Sequence, residues 1–91
     1  MNITAFGCAE CPACVQAGKF LDFLTTKHPD IVAHKKLTMT KPDLRKIVNE
    51  YNLSRTIPFF QVNGEWKTEK EFNNLFIDDY AEFKKGVKNA N

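Results

Sequence analysis

The feature that most constrains the fold of this chain is a change of hydrophobic period at Cys11-Pro12-Ala13-Cys14. Upstream, Ile3-Thr4-Ala5-Phe6 is a short apolar run with β-branched residues that stops at Gly7, and it reads as a strand. Downstream, Val15, Leu21, Phe23 and Leu24 recur at helical spacing, with Ala17 and Gly18 on neighbouring faces, as far as Pro29. Pro12 suits a first helical turn, because proline presets φ and its missing N–H is not needed there. The two cysteines therefore stand where a strand hands over to a helix.

That position has chemical consequences. A thiolate at a helix N-terminus meets unsatisfied backbone N–H groups and the positive end of the macrodipole, which favour the reactive form of a cysteine. Cys14 lies one turn deeper than Cys11, within its reach and less exposed. An attacking sulfur beside a resolving sulfur is what thiol–disulfide exchange requires. Two structural cysteines would explain the spacing but not its place at a helix start.

The rest of the chain alternates between the two periods. Pro29-Asp30 marks a turn, and Ile31–Leu37 reads as a strand on which His34 is read as solvated. Thr40 is a cap, with Pro42 early and Asp43 three residues on, for a helix carrying Leu44, Ile47, Val48 and Tyr51 and fading at Asn52. Thr56–Val62 and Glu65-Trp66-Lys67 are extended runs separated by Asn63-Gly64, a strong hairpin signal. Pro58 is expected to begin the first of these strands, where it costs no ladder bond. Thr68 and Glu71 then open a single last helix with an apolar stripe of Phe72, Leu75, Phe76, Tyr80, Phe83 and Val87. Gly86 and the polar tail Lys88-Asn89-Ala90-Asn91 predict fraying. The order is β-α-β-α-β-β-α, an α/β chain with a four-stranded mixed sheet flanked by helices on both faces. It would contain two β-α-β crossovers, right-handed where parallel, and an antiparallel edge strand from the hairpin.

Composition narrows the function classes. Ninety-one residues suit one small domain, here residues 1–91, acting as a monomer. The net charge is +2, with basic residues scattered among acidic ones and no arginine-rich run, which argues against nucleic acid. No apolar stretch approaches the ~20 residues that span a bilayer, so no membrane association is expected. No basic start precedes a long apolar run, so a secretory leader is not expected either. Three cysteines gathered between positions 8 and 14 make no disulfide framework, and a reducing cytoplasm suits them better. There such cysteines are catalytic or metal-binding.

With both motifs in view, the chain resembles the glutaredoxin branch of the thioredoxin-fold family over nearly its whole length. Cys11-Pro12-Ala13-Cys14 is similar to the family's Cys-Pro-x-Cys, and Thr56-Ile57-Pro58 to its Thr-Val-Pro. The resemblance implies a thioredoxin-like fold, a cis Pro58 beside the cysteines, and a substrate strip made of Pro12, Ala13, Thr56, Ile57 and Pro58. The Ile57 backbone would pair with a peptide-like substrate. It implies a dithiol protein-disulfide oxidoreductase with Cys11 as nucleophile and Cys14 as resolving thiol. No cofactor would be bound; glutathione is the implied co-substrate, with glutathione or a thioredoxin reductase as electron donor. The implied partner is a disulfide-containing protein such as ribonucleotide reductase. The chain has Ala13 where many glutaredoxins have tyrosine, Lys67-Thr68-Glu69-Lys70 where many have Gly-Gly-x-Asp, and Ala9-Glu10 where basic residues often stand. Lys19 and Arg55 are candidate cations for the thiolate.

Two other readings stay open. Cys8, Cys11 and Cys14 stand three apart twice, a spacing that resembles part of an iron–sulfur or zinc ligand run, though His28 and His34 lie in other elements. A redox-inactive interaction domain is the remaining one. Cys8 itself reads either as a loop cysteine or as a second redox switch.

Overall fold

The computed structural model describes residues 1–54 and 56–89. Its elements are β1 (Asn2–Phe6), α1 (Pro12–Lys27), β2 (Val32–Lys36), α2 (Lys41–Glu50), β3 (Phe59–Val62), β4 (Glu65–Thr68), α3 (Glu69–Leu75) and α4 (Ile77–Asn89). The four strands form one mixed sheet in the order β2-β1-β3-β4. β1 runs parallel to β2, with Ile3 opposite Ala33, and antiparallel to β3, with Ala5 opposite Phe60. Of the two expected crossovers, therefore, only β1-α1-β2 joins parallel strands. The connection through α2 delivers β3 in the opposite direction, so that β4 can pair with it as the antiparallel edge.

The alternation of side chains along the strands divides the core into two. Ile3, Ala5, Phe60 and Val62 face α1, α3 and α4, while Phe6 and Phe59 face α2. On the first face Phe20 is the hub, with its ring 5.2–6.3 Å from those of Phe23, Phe72, Tyr80 and Phe83, and Phe72 stacks on Phe60 at 4.0 Å. Aromatic pairs at such distances add to what their burial contributes. Val15, expected on the apolar stripe of α1, is exposed; Cys14, Ala17, Phe20, Leu21 and Leu24 are buried instead. On the second face Leu44 and Val48 of α2 cover Phe6 and Phe59, with Trp66 at the margin.

Local chemistry explains most boundaries. Thr40 Oγ1 accepts the Asp43 N–H at the start of α2. At its end Asn52 takes a left-handed φ of 52° while the Leu53 N–H reaches back to the Val48 carbonyl, which stops the helix where its pattern fades. Asn63 and Gly64 both have positive φ, as a tight hairpin of the right twist requires, and Asn63 bonds Asn2 in both directions. Strand β3 begins at Phe59, one residue after Pro58, which lies buried behind a cis Ile57–Pro58 bond.

The last helix is where expectation and structure part most. It is two helices, broken at Phe76 (φ −120°, ψ 44°). No glycine or proline marks the break. Phe72, Phe76, Tyr80 and Phe83 all pack on the α1 face, whereas Leu75 and Ile77 on either side of the break are 53% and 60% exposed. Asp79 in the first turn of α4 bonds His28 at 2.9 Å and Lys27 at 2.9 Å, and Lys27 also meets Glu82. These tertiary ties set the register of α4. The helix runs on through Gly86 to Asn89 rather than fraying there, and Ala90 and Asn91 lie outside the described residues.

Candidate functional site

β1 ends at Phe6, and residues Gly7–Glu10 carry the chain to α1. Gly7 is clamped on both sides: its N–H donates to the Lys36 carbonyl, and its own carbonyl accepts the Met39 N–H, each at 3.0 Å. The Cys11 N–H closes a turn onto the Cys8 carbonyl. Cys11 is then the N-cap of α1, extended at φ −92° and ψ 113°, with Pro12 as the first helical residue. A cap normally presents an oxygen to the free N–H groups of the first turn. Here a sulfur does so, Cys11 Sγ accepting the Cys14 N–H at 3.3 Å.

Cys14 is fully buried and Cys11 half-buried, and all three cysteines carry free thiols. Burial pushes the Cys14 thiol from an ordinary 9.0 up to about 12, helped by its hydrogen bond to the Cys11 sulfur and opposed by a backbone N–H of Cys8. Cys14 therefore keeps its proton and offers it to Cys11. The two cysteines thus sit in different environments within one turn, Cys14 buried and Cys11 half-buried at the helix start, where its sulfur accepts the Cys14 N–H.

Cys14 is pressed from behind by Gly7. A Cβ at position 7 would stand 2.4 Å from Cys14 Sγ and 3.2 Å from Leu37 Cδ2, so only glycine fits. Sequence reading took Gly7 as a strand stop and missed this contact, which depends on how α1 folds back on the end of β1. Cys8 is buried with Phe6, Leu44, Val48 and Phe59 on the α2 face, where Cys11 and Ile57 pack at the edge of the same cluster. No group of three or more histidine, cysteine, aspartate or glutamate side chains placed to hold a metal ion occurs among the described residues.

The second motif comes to the first through that cluster. Ile57 is half-buried and Pro58 buried, whereas Thr56 is exposed and its hydroxyl bonds Ser54 at 3.2 Å. Ile57 also lines a cleft of about 260 Å³ with Lys41, Leu44, Arg45 and Val48. Lys41 and Arg45 stand one turn apart on α2, and neither forms an ion pair among the described residues. Like charges at this spacing are unfavourable for a helix, and an anion between them relieves the repulsion. Reading the sequence for motifs passed over both residues; the signal was the i, i+4 repeat of cations beside Leu44 and Val48.

The remaining candidates are less engaged. Glu10 and Lys19 are exposed, with no ion pair among the described residues, and Arg55 lies outside those residues. His34 is exposed on the edge strand β2. At the start of α3 a reciprocal capping box spends the free backbone groups: the Glu71 N–H donates to Thr68 Oγ1 at 3.1 Å, and the Thr68 N–H donates to Glu71 Oε1 at 2.9 Å. Glu71 is accordingly held below the ordinary carboxylate range. No helix among the described residues is long and apolar enough to cross a membrane. Compared with known proteins, the chain matches no family model, no curated protein and no solved structure.

Proposed function

We propose that this chain is a dithiol thiol–disulfide oxidoreductase of the glutaredoxin or thioredoxin type, built on a thioredoxin-like fold and working in a reducing compartment. The observation that carries the reading is the asymmetry of the cysteine pair. Cys11 caps α1 and accepts the Cys14 N–H, while Cys14 is buried with its thiol held protonated up to about 12. Such a pair separates a nucleophile from a proton-bearing resolving thiol.

The reaction runs in two exchanges. The Cys11 thiolate attacks one sulfur of the substrate disulfide; that S–S bond breaks, and the other substrate sulfur leaves as a thiolate that takes up a proton. Cys14 then gives up its proton and attacks Cys11 Sγ in the mixed disulfide. The second substrate thiol is released and a Cys11–Cys14 disulfide remains. Two electrons have passed from the protein to the substrate. A thiol donor, either glutathione or the dithiol of a thioredoxin-reductase-type flavoprotein, returns them.

Glutathione suits the cleft beside Ile57. It carries carboxylates, and Lys41 and Arg45 offer two cations over an apolar floor of Leu44, Val48 and Ile57, residues of the cluster against which Cys11 also packs. The capped start of α3 leaves no comparable cradle in Lys67–Lys70. The protein has no need of a bound cofactor for this chemistry.

The test is reduction of a mixed disulfide of glutathione, driven by glutathione and its reductase and, separately, by thioredoxin reductase. Turnover in the first assay, with KM for glutathione rising several-fold in Arg45→Glu at unchanged kcat, is the expected result. Turnover with thioredoxin reductase alone would keep the dithiol chemistry and remove glutathione. Silence in both would overturn the reading.

A further inference from the structure

A second and larger cavity opens on the other flank of the cysteine pair. It encloses about 560 Å³ between the first half of α1 and the helices α3 and α4, and its wall begins at Ala13, beside Cys14. Its floor comes from the aromatic core of the first sheet face, where the partly exposed Tyr80 and Phe83 pack with the buried Phe20 and Phe60, whereas Lys41, Arg45 and Ile57 border the opposite face. The helix break at Phe76 lets both α3 and α4 line it.

The wall is polar in a specific way. Gln16 of α1 and Glu69 and Asn73 of α3 face the cavity, and their side chains make no hydrogen bond or ion pair among the described residues. Burial raises Glu69 above the ordinary carboxylate range. Lys84 and Lys85 of α4 stand at the rim, with the Lys84 ammonium over the Tyr80 ring at 5.4 Å. An apolar floor with a few convergent polar groups is the usual form of a binding site, and the volume lies within the range of such sites.

We infer that this cavity docks the polypeptide flanking a substrate disulfide, taking an aromatic side chain on its floor and an acidic side chain at its lysine rim. The inference rests on the proposed dithiol chemistry and names the substrate class for it. An aromatic side chain matches a floor on which the rings of Tyr80 and Phe83 are partly exposed. A peptide backbone supplies N–H groups for Glu69 and both donors and acceptors for Gln16 and Asn73, which an apolar ligand would leave unsatisfied. A carboxylate meets Lys84 and Lys85. Contact with Ala13 places the docked segment within a few residues of the reacting sulfur.

The experiment compares short single-cysteine peptides, each in mixed disulfide with glutathione, with Phe-Glu placed at successive positions on either side of the cysteine. The matched controls carry Gly-Lys, and a small hydroxyethyl mixed disulfide is the reference substrate. The wild-type protein is expected to favour one Phe-Glu register over its control by roughly tenfold or more in kcat/KM. Filling the cavity with Asn73→Trp, or reversing the rim with Lys84→Glu and Lys85→Glu together, removes that preference and leaves the reference substrate unchanged. Equal turnover of Phe-Glu and Gly-Lys peptides in every register, with the reference substrate still reduced, would overturn the docking site and spare the redox chemistry. Loss of the reference substrate in wild type would sink both. A dimer in sedimentation that Asn73→Trp dissolves would give the cavity to a second copy of the chain and overturn the proposal.

Discussion

The two faces of the sheet are built on different principles. Behind it, Phe20, Phe60, Phe72, Tyr80 and Phe83 interlock between α1, α3 and α4, and the charged ties of Lys27 and His28 to Asp79 hold the helix ends together. On the α2 face the cluster is smaller, contains Cys8 among its apolar members, and leaves Ile47, Leu53 and Ile57 only partly covered. The first face holds more of the buried apolar side chains. The second lends Cys11 and Ile57 a thinner support, next to the cations Lys41 and Arg45, which form no ion pair among the described residues. The cysteine pair borders the less densely packed face.

Substitutions at the cysteines test whether the chemistry is as asymmetric as the packing. Cys11→Ser is expected to reduce turnover to background, while Cys8→Ser, inside the α2-face cluster, leaves dithiol turnover nearly intact in the same assay. Full activity in Cys11→Ser would show that the nucleophile is elsewhere.

Packing itself comes next in size. Phe20→Ala empties the hub of the larger face and is expected to cost about 3–5 kcal/mol in denaturant unfolding. Leu44→Ala on the α2 face should cost about 2 kcal/mol, the lower end for a buried leucine, because its surroundings are partly solvated. Equal losses at the two positions would break the contrast between the faces.

Gly7 lies on the boundary between them. Gly7→Ala forces a methyl group against Cys14 Sγ and Leu37 and is expected to destabilise by about 1–3 kcal/mol. More tellingly, it should slow the resolving step and make the mixed disulfide on Cys11 accumulate, while alkylation of Cys11 keeps its rate. Mass spectrometry of quenched reactions reads both. If the mixed disulfide fails to accumulate, Gly7 does not position Cys14.

The smallest expected effect is a pair of pH limits. Asp79 is held below its ordinary 3.8, first by Lys27 and then by His28, so its contribution to stability is complete above that value and disappears as pH falls through the lowered one. Cys14 works in the opposite direction. Its thiol is raised to about 12, so its contribution is complete below 9.0 and is lost as pH rises toward 12. Thermal melts should therefore show an acid shoulder that Asp79→Asn removes and an alkaline one that Cys14→Ala removes. An unchanged acid limb in Asp79→Asn would place the acid sensitivity outside the α1–α4 tie.

Much of this structure was legible in short-range chemistry. The strand-to-helix switch at Cys11, the Thr40 and Thr68 caps, and the turns at Asn52 and Asn63-Gly64 are fixed by groups a few residues apart. Each has a local reason that no neighbour overrides. The cysteine pair belongs to the same class, because a helix start acts on whatever sulfur stands in its first turn.

What only the tertiary structure decided depends on distant residues. The direction of β3 followed from its pairing with β1, not from the helix before it. The break at Phe76 arose because Phe76 and Tyr80 follow the rings of Phe72 and Phe20 while Asp79 reaches His28, a choice that helical spacing alone does not make. Gly7 became obligatory only when α1 brought Cys14 against it, and the cavity beside Ala13 exists only because α3 and α4 meet α1 as separate helices. Local chemistry sets conformation over one turn, whereas position in a close-packed interior is set by volume and by which surfaces meet, and those are properties of the whole chain.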